Sequence, residues 1–261
     1  MYTYTFIIPH KNIPSLLKRC LDSIPSRPDI EIIVIDDNSN EESIKELKKL
    51  SRKELQIIYT TEDKGAGFAR NVGLRNAEGE WIVFADADDV FEPGFNTILD
   101  LLLKDSISDI VNFDITSRYS ETNEPNSEID DYHCSKKEYI NNPQAFRYIT
   151  QVPWGKAIRN SFIKKNNLFF EEVKYGNDVR FATLCDYYSQ YRQIIPILGY
   201  CWMRRKDSLW GQRSLEWAET RLNVYINTGK LMRKLGESEY GEKLIDGSVL
   251  LLKEIKKHSY I

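Results

Sequence analysis

Four short apolar runs, each followed by a stretch with helical periodicity, constrain this chain more than any other feature. Thr5-Phe6-Ile7-Ile8 reads as a buried strand ended by Pro9. Pro14 then suits the first turn of a helix carrying Leu16, Leu17, Cys20, Leu21 and Ile24. Ile30 to Ile35 is the next strand, and Ile44, Leu47 and Leu50 stripe the helix after it. Gln56 to Tyr59 forms a third strand and Phe68 to Ala77 a third helix. Trp81 to Ala85 is the fourth strand, with Phe95, Ile98, Leu99, Leu102 and Leu103 at helical spacing beyond it. Strands that are continuously apolar are covered on both faces. The pattern therefore predicts an α/β fold with a mainly parallel central sheet flanked by helices. In such sheets ligands bind beyond the carboxyl ends of the strands. His10-Lys11-Asn12, Asp36-Asp37-Asn38 and Asp86-Ala87-Asp88-Asp89 stand there, and that coincidence predicts an enzyme.

The rest of the chain is read more coarsely. Ser117 to Asp131 is polar and aperiodic, so it is expected to be a long loop or mobile lid. Chemistry resumes at Trp154-Gly155-Lys156, and Asn177 to Tyr188 reads as a helix with Phe181, Leu184 and Tyr188 on one face. Two helices are expected from Ser214 onward. A net charge of −3 excludes a nucleic-acid binder that relies on positive excess. Apolar runs such as Val249 to Leu252 are too short to span a bilayer. The first residues lead straight into a strand rather than a secretory signal, which predicts a cytoplasmic protein. Cysteines at 20, 134, 185 and 201 and histidines at 10, 133 and 258 have no zinc-ligand spacing, and reduced thiols are expected.

Three carboxylates in four residues, Asp86, Asp88 and Asp89, raise one another's pKa unless a cation joins them. Asp86 and Asp88, two apart in extended chain, point the same way. Such oxygen donors suit Mg²⁺ or Mn²⁺ shared with substrate phosphates; the alternative is one helix cap and two solvated side chains. Lys64-Gly65-Ala66-Gly67 precedes a helix, where backbone N–H groups can face an anion, with Arg70 one turn on. An ordinary loop with a surface arginine is the competing reading. Asp36 and Asp37 can accept from a base or a ribose, or can form an Asx turn with Asn38 and Ser39. Asp178 opens a helix, where capping alone would account for it.

Taken in order, these segments resemble the family 2 glycosyltransferases of the GT-A fold over roughly residues 3–205. The matching motifs are Phe6 to Asn12, Ile32 to Ser39, Gly67 to Leu74 and Gly79 to Asp89. Trp154-Gly155-Lys156 and Gly176 to Phe181 resemble the later, acceptor-side motifs. The resemblance implies a GT-A domain over 1–205, with a donor half to about 113, an acceptor half from 114 and a helical extension over 206–261. It implies an inverting transfer from a nucleotide-sugar, preferentially a UDP-sugar, to a glycan or lipid-linked acceptor, as in bacterial surface polysaccharide synthesis. Pro9, Asp36, Asp37, Lys64, Arg70, Asp86 and Ala87 would bind the donor. Asp86 and Asp88 would hold Mn²⁺ or Mg²⁺, with Asp89 a further metal or ribose ligand. Asp178 would be the catalytic base, and Trp154, Lys156 and Asn177 would face the acceptor. Two departures stand out: Asn177-Asp178 where many members have Glu-Asp, and His10 where an aromatic residue is usual.

Two rivals are a sugar nucleotidyltransferase and a non-catalytic nucleotide-sugar-binding module. The first would carry a glycine-rich signature in its first strand-to-helix loop, which Pro9 to Pro14 lacks. Retention of Asp88 and Asp178 argues against the second. In the last helix Tyr240, Leu244, Leu251, Leu252 and Ile255 form an apolar face beside Lys253, Lys256, Lys257 and His258. That face can lie on the inner surface of an anionic membrane or pack on the protein.

Overall fold

The computed structural model describes residues 2–105, 107–127, 133–206 and 214–258, without the side chains of 250 and 254–258. Its first part alternates β1 (Tyr4–His10), α1 (Pro14–Ser23), β2 (Ile30–Asp37), α2 (Glu41–Leu47), β3 (Leu55–Thr60), α3 (Ala66–Asn76) and β4 (Trp81–Phe84). Then follow β5 (Val90–Phe91), α4 (Phe95–Leu102), β6 (Ile110–Tyr119), α5 (Lys137–Asn141), β7 (Lys156–Arg159) and α6 (Asn160–Lys165). The chain continues through α7 (Val179–Tyr188), β8 (Arg192–Arg204), α8 (Leu215–Lys234) and α9 (Ser238–His258).

The eight strands form one sheet in the order β3-β2-β1-β4-β7-β6-β8-β5. β3, β2, β1 and β4 are mutually parallel, which agrees with the expected architecture. The other half is mixed: β7 runs antiparallel to β4 and β6, β8 lies parallel to β6, and β5 is antiparallel to β8. Side chains alternate across the sheet. Phe6 and Ile8 pack with Leu17 of α1 and with Phe95, Ile98 and Leu99 of α4. Ile7 faces the opposite layer, with Ala69 and Leu74 of α3, Phe162 of α6 and Phe181 of α7. Each such buried side chain contributes about 1.5–3 kcal/mol relative to exposure. Coverage of both faces is thus the physical reason for the continuously apolar strands.

Register brings the polar strand ends to one edge. His10 pairs with Asp36 across β1 and β2, and Asp36 and Asp37 pair with Tyr59 and Thr60 of β3. β4 pairs with β1 as far as Phe84 opposite Ile7, so Asp86 leaves the sheet beside the end of β1.

The expected loop over Ser117 to Asp131 is corrected in part. Ser117 to Tyr119 belong to β6, paired with Trp202 to Arg204 of β8, and Pro125 bridges back to Arg118. The partner strand comes some eighty residues later, so local periodicity gave no sign of it. Residues 128–132 lie outside the described residues. Both C-terminal helices form as expected, α8 capped by Ser214 Oγ, which accepts from Trp217 N at 3.1 Å. They cross at Gly229 and Gly241, where a Cβ added to either would lie 2.6 Å from the other's carbonyl oxygen. Tyr240 stacks on Tyr148 and Leu244 is buried, so that part of the apolar face packs on the protein, while Leu252 is exposed.

Candidate active site

An open cleft of about 590 Å³ lies at the carboxyl ends of β1, β2 and β4, closed on its far side by α7 and α8. Of the residues expected from sequence, Pro9, Asp37, Arg70, Asp86, Ala87, Asp88, Trp154, Asn177 and Asp178 line it. Asp36, Lys64, Asp89 and Lys156 do not line it.

On the strand rim the carboxylates are engaged by the protein itself. Asp36 is buried, with His10 Nδ1 at 2.8 Å and with bonds from Ser39 N at 3.0 Å and Ser39 Oγ at 2.5 Å. His10 Nε2 accepts from Ile13 N at 3.2 Å, so Nδ1 carries the proton donated to Asp36. Burial pushes the Asp36 pKa up, but the bonds from His10 and Ser39 outweigh it and leave it below the usual range. Asp36 thus fastens the β1 loop to the β2 loop. Asp37 accepts from the backbone of Lys64 at 3.2 Å and Gly65 at 2.7 Å. Two amides of the glycine loop, read from sequence as an anion cradle, are therefore held by a side chain of the protein. The glycines have steric reasons: Gly65 sits at φ 85°, and a Cβ on Gly67 would overlap the Glu171 carbonyl. The Lys64 ammonium lies 5.0 Å from the Phe68 ring centroid and 3.8 Å from Glu172.

The aspartate cluster divides. Asp89 is fully buried, accepting from Met203 N at 2.7 Å and Tyr200 OH at 2.6 Å, while Asp86 N donates to the same tyrosine oxygen at 3.0 Å. It braces the loop against β8 rather than facing a ligand. Burial, then the charges of Asp88 and Asp86, push its pKa well up. Asp86 and Asp88 do face the cleft, and each carries a guanidinium. Arg70 reaches Asp86 at 2.5 Å and Arg205 reaches Asp88 at 2.8 Å. Burial and the charge of Asp86 raise the Asp88 pKa, against the opposing pull of Arg205. Mg²⁺ and Mn²⁺ are commonly held by one or two carboxylates plus substrate phosphates, so this oxygen pair fits such an ion. Among the described residues no group of three or more His, Cys, Asp or Glu is arranged to hold a metal unaided.

On the helix rim, Asp178 is the N-cap of α7 but its side chain caps no amide of the first turn. Capping therefore does not account for it. Burial raises its pKa, opposed by the charges of Arg70 and Arg221. Asn177 accepts from Arg70 at 2.8 Å, so one guanidinium spans Asn177 on this rim and Asp86 on the other. Lys156, expected at the acceptor, is the first residue of β7 and is buried, with Thr150 Oγ1 at 3.3 Å from its ammonium. Sequence reasoning missed Trp202, Arg205, Trp217 and Arg221, all of which line the cleft. Paired basic residues at the end of β8 and a Trp-x-x-x-Arg spacing in α8 were the only local signs.

A half-parallel, half-mixed sheet with acidic strand ends opening on a cleft defines a GT-A type glycosyltransferase fold. The glycosyl transferase family 2 model matches residues 5–167, and the chain belongs to that family. It is 23% identical over 250 residues to the putative glycosyltransferase EpsH of Bacillus subtilis, covering 92% of this chain and 72% of that one. It is 37% identical over 94 residues to glycosyltransferase GlyA of Streptococcus pneumoniae, covering 35% of this chain and only 14% of the relative. Among solved structures it resembles S. aureus TarS 1-349 in complex with UDP-GlcNAc, with TM-score 0.70 and 18% identity over 95% of this chain and 71% of that one. It also resembles the mannosyltransferase PcManGT of Pyrobaculum calidifontis in complex with GDP-Man and Mn²⁺, with TM-score 0.63 and 17% identity over 97% of this chain and 75% of that one.

Proposed function

We propose that this chain transfers a sugar, with inversion, from a UDP-sugar to a hydroxyl of a glycan or lipid-linked acceptor. The observation that carries the reading is one cleft with Asp86 and Asp88 on one rim and Asp178 on the other, spanned by Arg70. The nucleotide-sugars in the TarS and PcManGT complexes support a donor of that class. In this reading residues 1–113 carry the donor half and 114–205 most of the acceptor half.

Asp37 uses a lone pair left free by Lys64 and Gly65 to accept the N3–H of uracil, and Pro9 forms the wall of the base pocket. Asp86 and Asp88 would hold Mn²⁺ or Mg²⁺ with the diphosphate, and that ion supplies neutralisation of charge on the leaving group. Arg70, permanently charged, adds to the same stabilisation. Asp178 takes the proton of the acceptor hydroxyl as its oxygen attacks the anomeric carbon. The new C–O bond forms on the face opposite the breaking bond, whose electron pair leaves with UDP. No covalent sugar-enzyme intermediate is involved.

The test is UDP release from a panel of UDP-sugars with Mn²⁺ present. Turnover that disappears in excess EDTA is expected. Full activity in EDTA contradicts the metal assignment, and equal binding of all four nucleoside diphosphates contradicts the uridine preference.

A further inference from the structure

Four of the cationic side chains lining the cleft have a carboxylate partner: Lys11 with Asp63, Arg70 with Asp86, Lys174 with Glu216 and Arg205 with Asp88. Arg221 of α8 differs. It makes no ion pair with a carboxylate among the described residues, and its Nε is buried without a hydrogen-bond partner. Its guanidinium carbon lies 5.4 Å from the ring centroids of both Trp217 and Tyr225. Among the described residues only Nη2 donates, to Tyr225 OH at 3.0 Å, and that hydroxyl donates to Gln151 at 2.9 Å. Gln151 in turn donates to Tyr240 OH at 3.0 Å. The aliphatic stem of Arg221 packs over Gly176, where a Cβ would meet Cγ of Arg221 at 3.6 Å, two residues before Asp178.

A guanidinium keeps its charge at any working pH, and two flanking rings hold its plane without neutralising it. A half-buried cation kept in place by a relay of tyrosines and a glutamine, near the Asp178 carboxyl but in no ion pair among the described residues, is poised for an anion from outside. Trp217 beside it offers a flat apolar face against which the C–H face of a sugar ring can lie. Both residues belong to α8, beyond the residues that the family model matches.

We infer that Trp217 and Arg221 form an acceptor subsite for a sugar unit bearing an oxyanion, either phosphate or carboxylate. The inference rests on the reading of Asp178 as the base, since it places the anionic group next to the hydroxyl that Asp178 deprotonates. Trp217 carries the ring, and Arg221 meets the oxyanion with its charge and with the N–H groups of Nη1, Nη2 being engaged by Tyr225.

Three matched probes test it: methyl glucoside 6-phosphate, methyl glucuronide and methyl glucoside, titrated by calorimetry into the full chain saturated with UDP. UDP occupancy removes the diphosphate site as a competing anion site. At least one charged probe is expected to bind ten times or more tighter than the neutral one, and comparison of the two charged probes separates phosphate from carboxylate. Arg221→Gln, which keeps an amide donor for Tyr225, should remove that preference, while Arg221→Lys keeps part of it. Trp217→Leu should weaken all three probes together. Equal binding of charged and neutral probes, or an unchanged preference in Arg221→Gln, overturns the inference. UDP affinity is titrated separately on each variant and is expected to stay within twofold. Failure of UDP to bind the wild type would count against the donor assignment, and the three probes are then compared between wild type and Arg221→Gln without nucleotide.

Discussion

The two rims of the cleft hold their charges in opposite ways. On the strand rim Asp36, Asp37 and Asp89 each accept at least two hydrogen bonds from the protein: from His10 and Ser39, from the amides of Lys64 and Gly65, and from Tyr200 and Met203. On the helix rim Asp178 caps no amide of the first turn, and Arg221, whose charge Asp178 feels, forms no ion pair among the described residues and leaves its Nε without a hydrogen bond. Buried charges normally find partners, because an unpaired one carries the full desolvation penalty. In the proposed reading the carboxylates bonded to the protein hold the strand-rim loops in place, and the groups without such bonds are the ones left to meet substrate. Asp86 and Asp88 fall between the two, paired with arginines yet open to the cleft.

This contrast can be broken by substitution. Asp88→Asn keeps the shape and removes the charge, so turnover should fall about 10²–10³-fold, the usual cost of one electrostatic stabiliser, with little change in melting. Normal turnover with Mn²⁺ present would move Asp88 into the merely structural group. Asp37→Ala should cost about 1–3 kcal/mol twice over, once in stability and once in uridine nucleotide affinity, because two amides and a base donor lose their acceptor. Thermal melts and nucleotide titration measure both, and an unchanged melt would show that pinning of the Lys64–Gly65 loop is dispensable. The smallest effect concerns α9. We propose that Leu252, which is 40% exposed, faces an anionic membrane. Leu252→Glu should reduce flotation with anionic vesicles without altering the melt, and equal failure of both proteins to float would retire that contact.

Much of the strand rim was legible because its parts are local. An apolar run followed at once by Asp36-Asp37 or Asp86-Ala87-Asp88 is visible in a few residues, and the parallel register brings those ends together. Which aspartate would be consumed internally was not legible. The partners of Asp89 are Tyr200 and Met203, more than a hundred residues away, and nothing local separates Asp36 from Asp37. The helix rim was legible only at Asp178. Arg205, Trp217 and Arg221 reach the cleft through β6–β8 pairing and the packing of α8 over Gly176, contacts that no local pattern encodes. At the Asn177 departure a neutral amide oxygen accepts from Arg70 Nη1, while Nη2 of the same guanidinium reaches Asp86.

The central claim is that Asp178 is left unpaired to act as a base, and Asp178→Asn tests it most directly. Burial raises the Asp178 carboxyl above its ordinary range, so the ionised base is lost as pH falls through that raised value. In the wild type kcat/KM should therefore decline on an acid limb displaced upward from that of a free carboxyl. In Asp178→Asn transfer should drop about 10²–10⁴-fold and that limb should vanish, while nucleotide and Mn²⁺ affinity and the melting temperature stay close to wild type. Near wild-type turnover with the acid limb intact would contradict the account and place the base elsewhere.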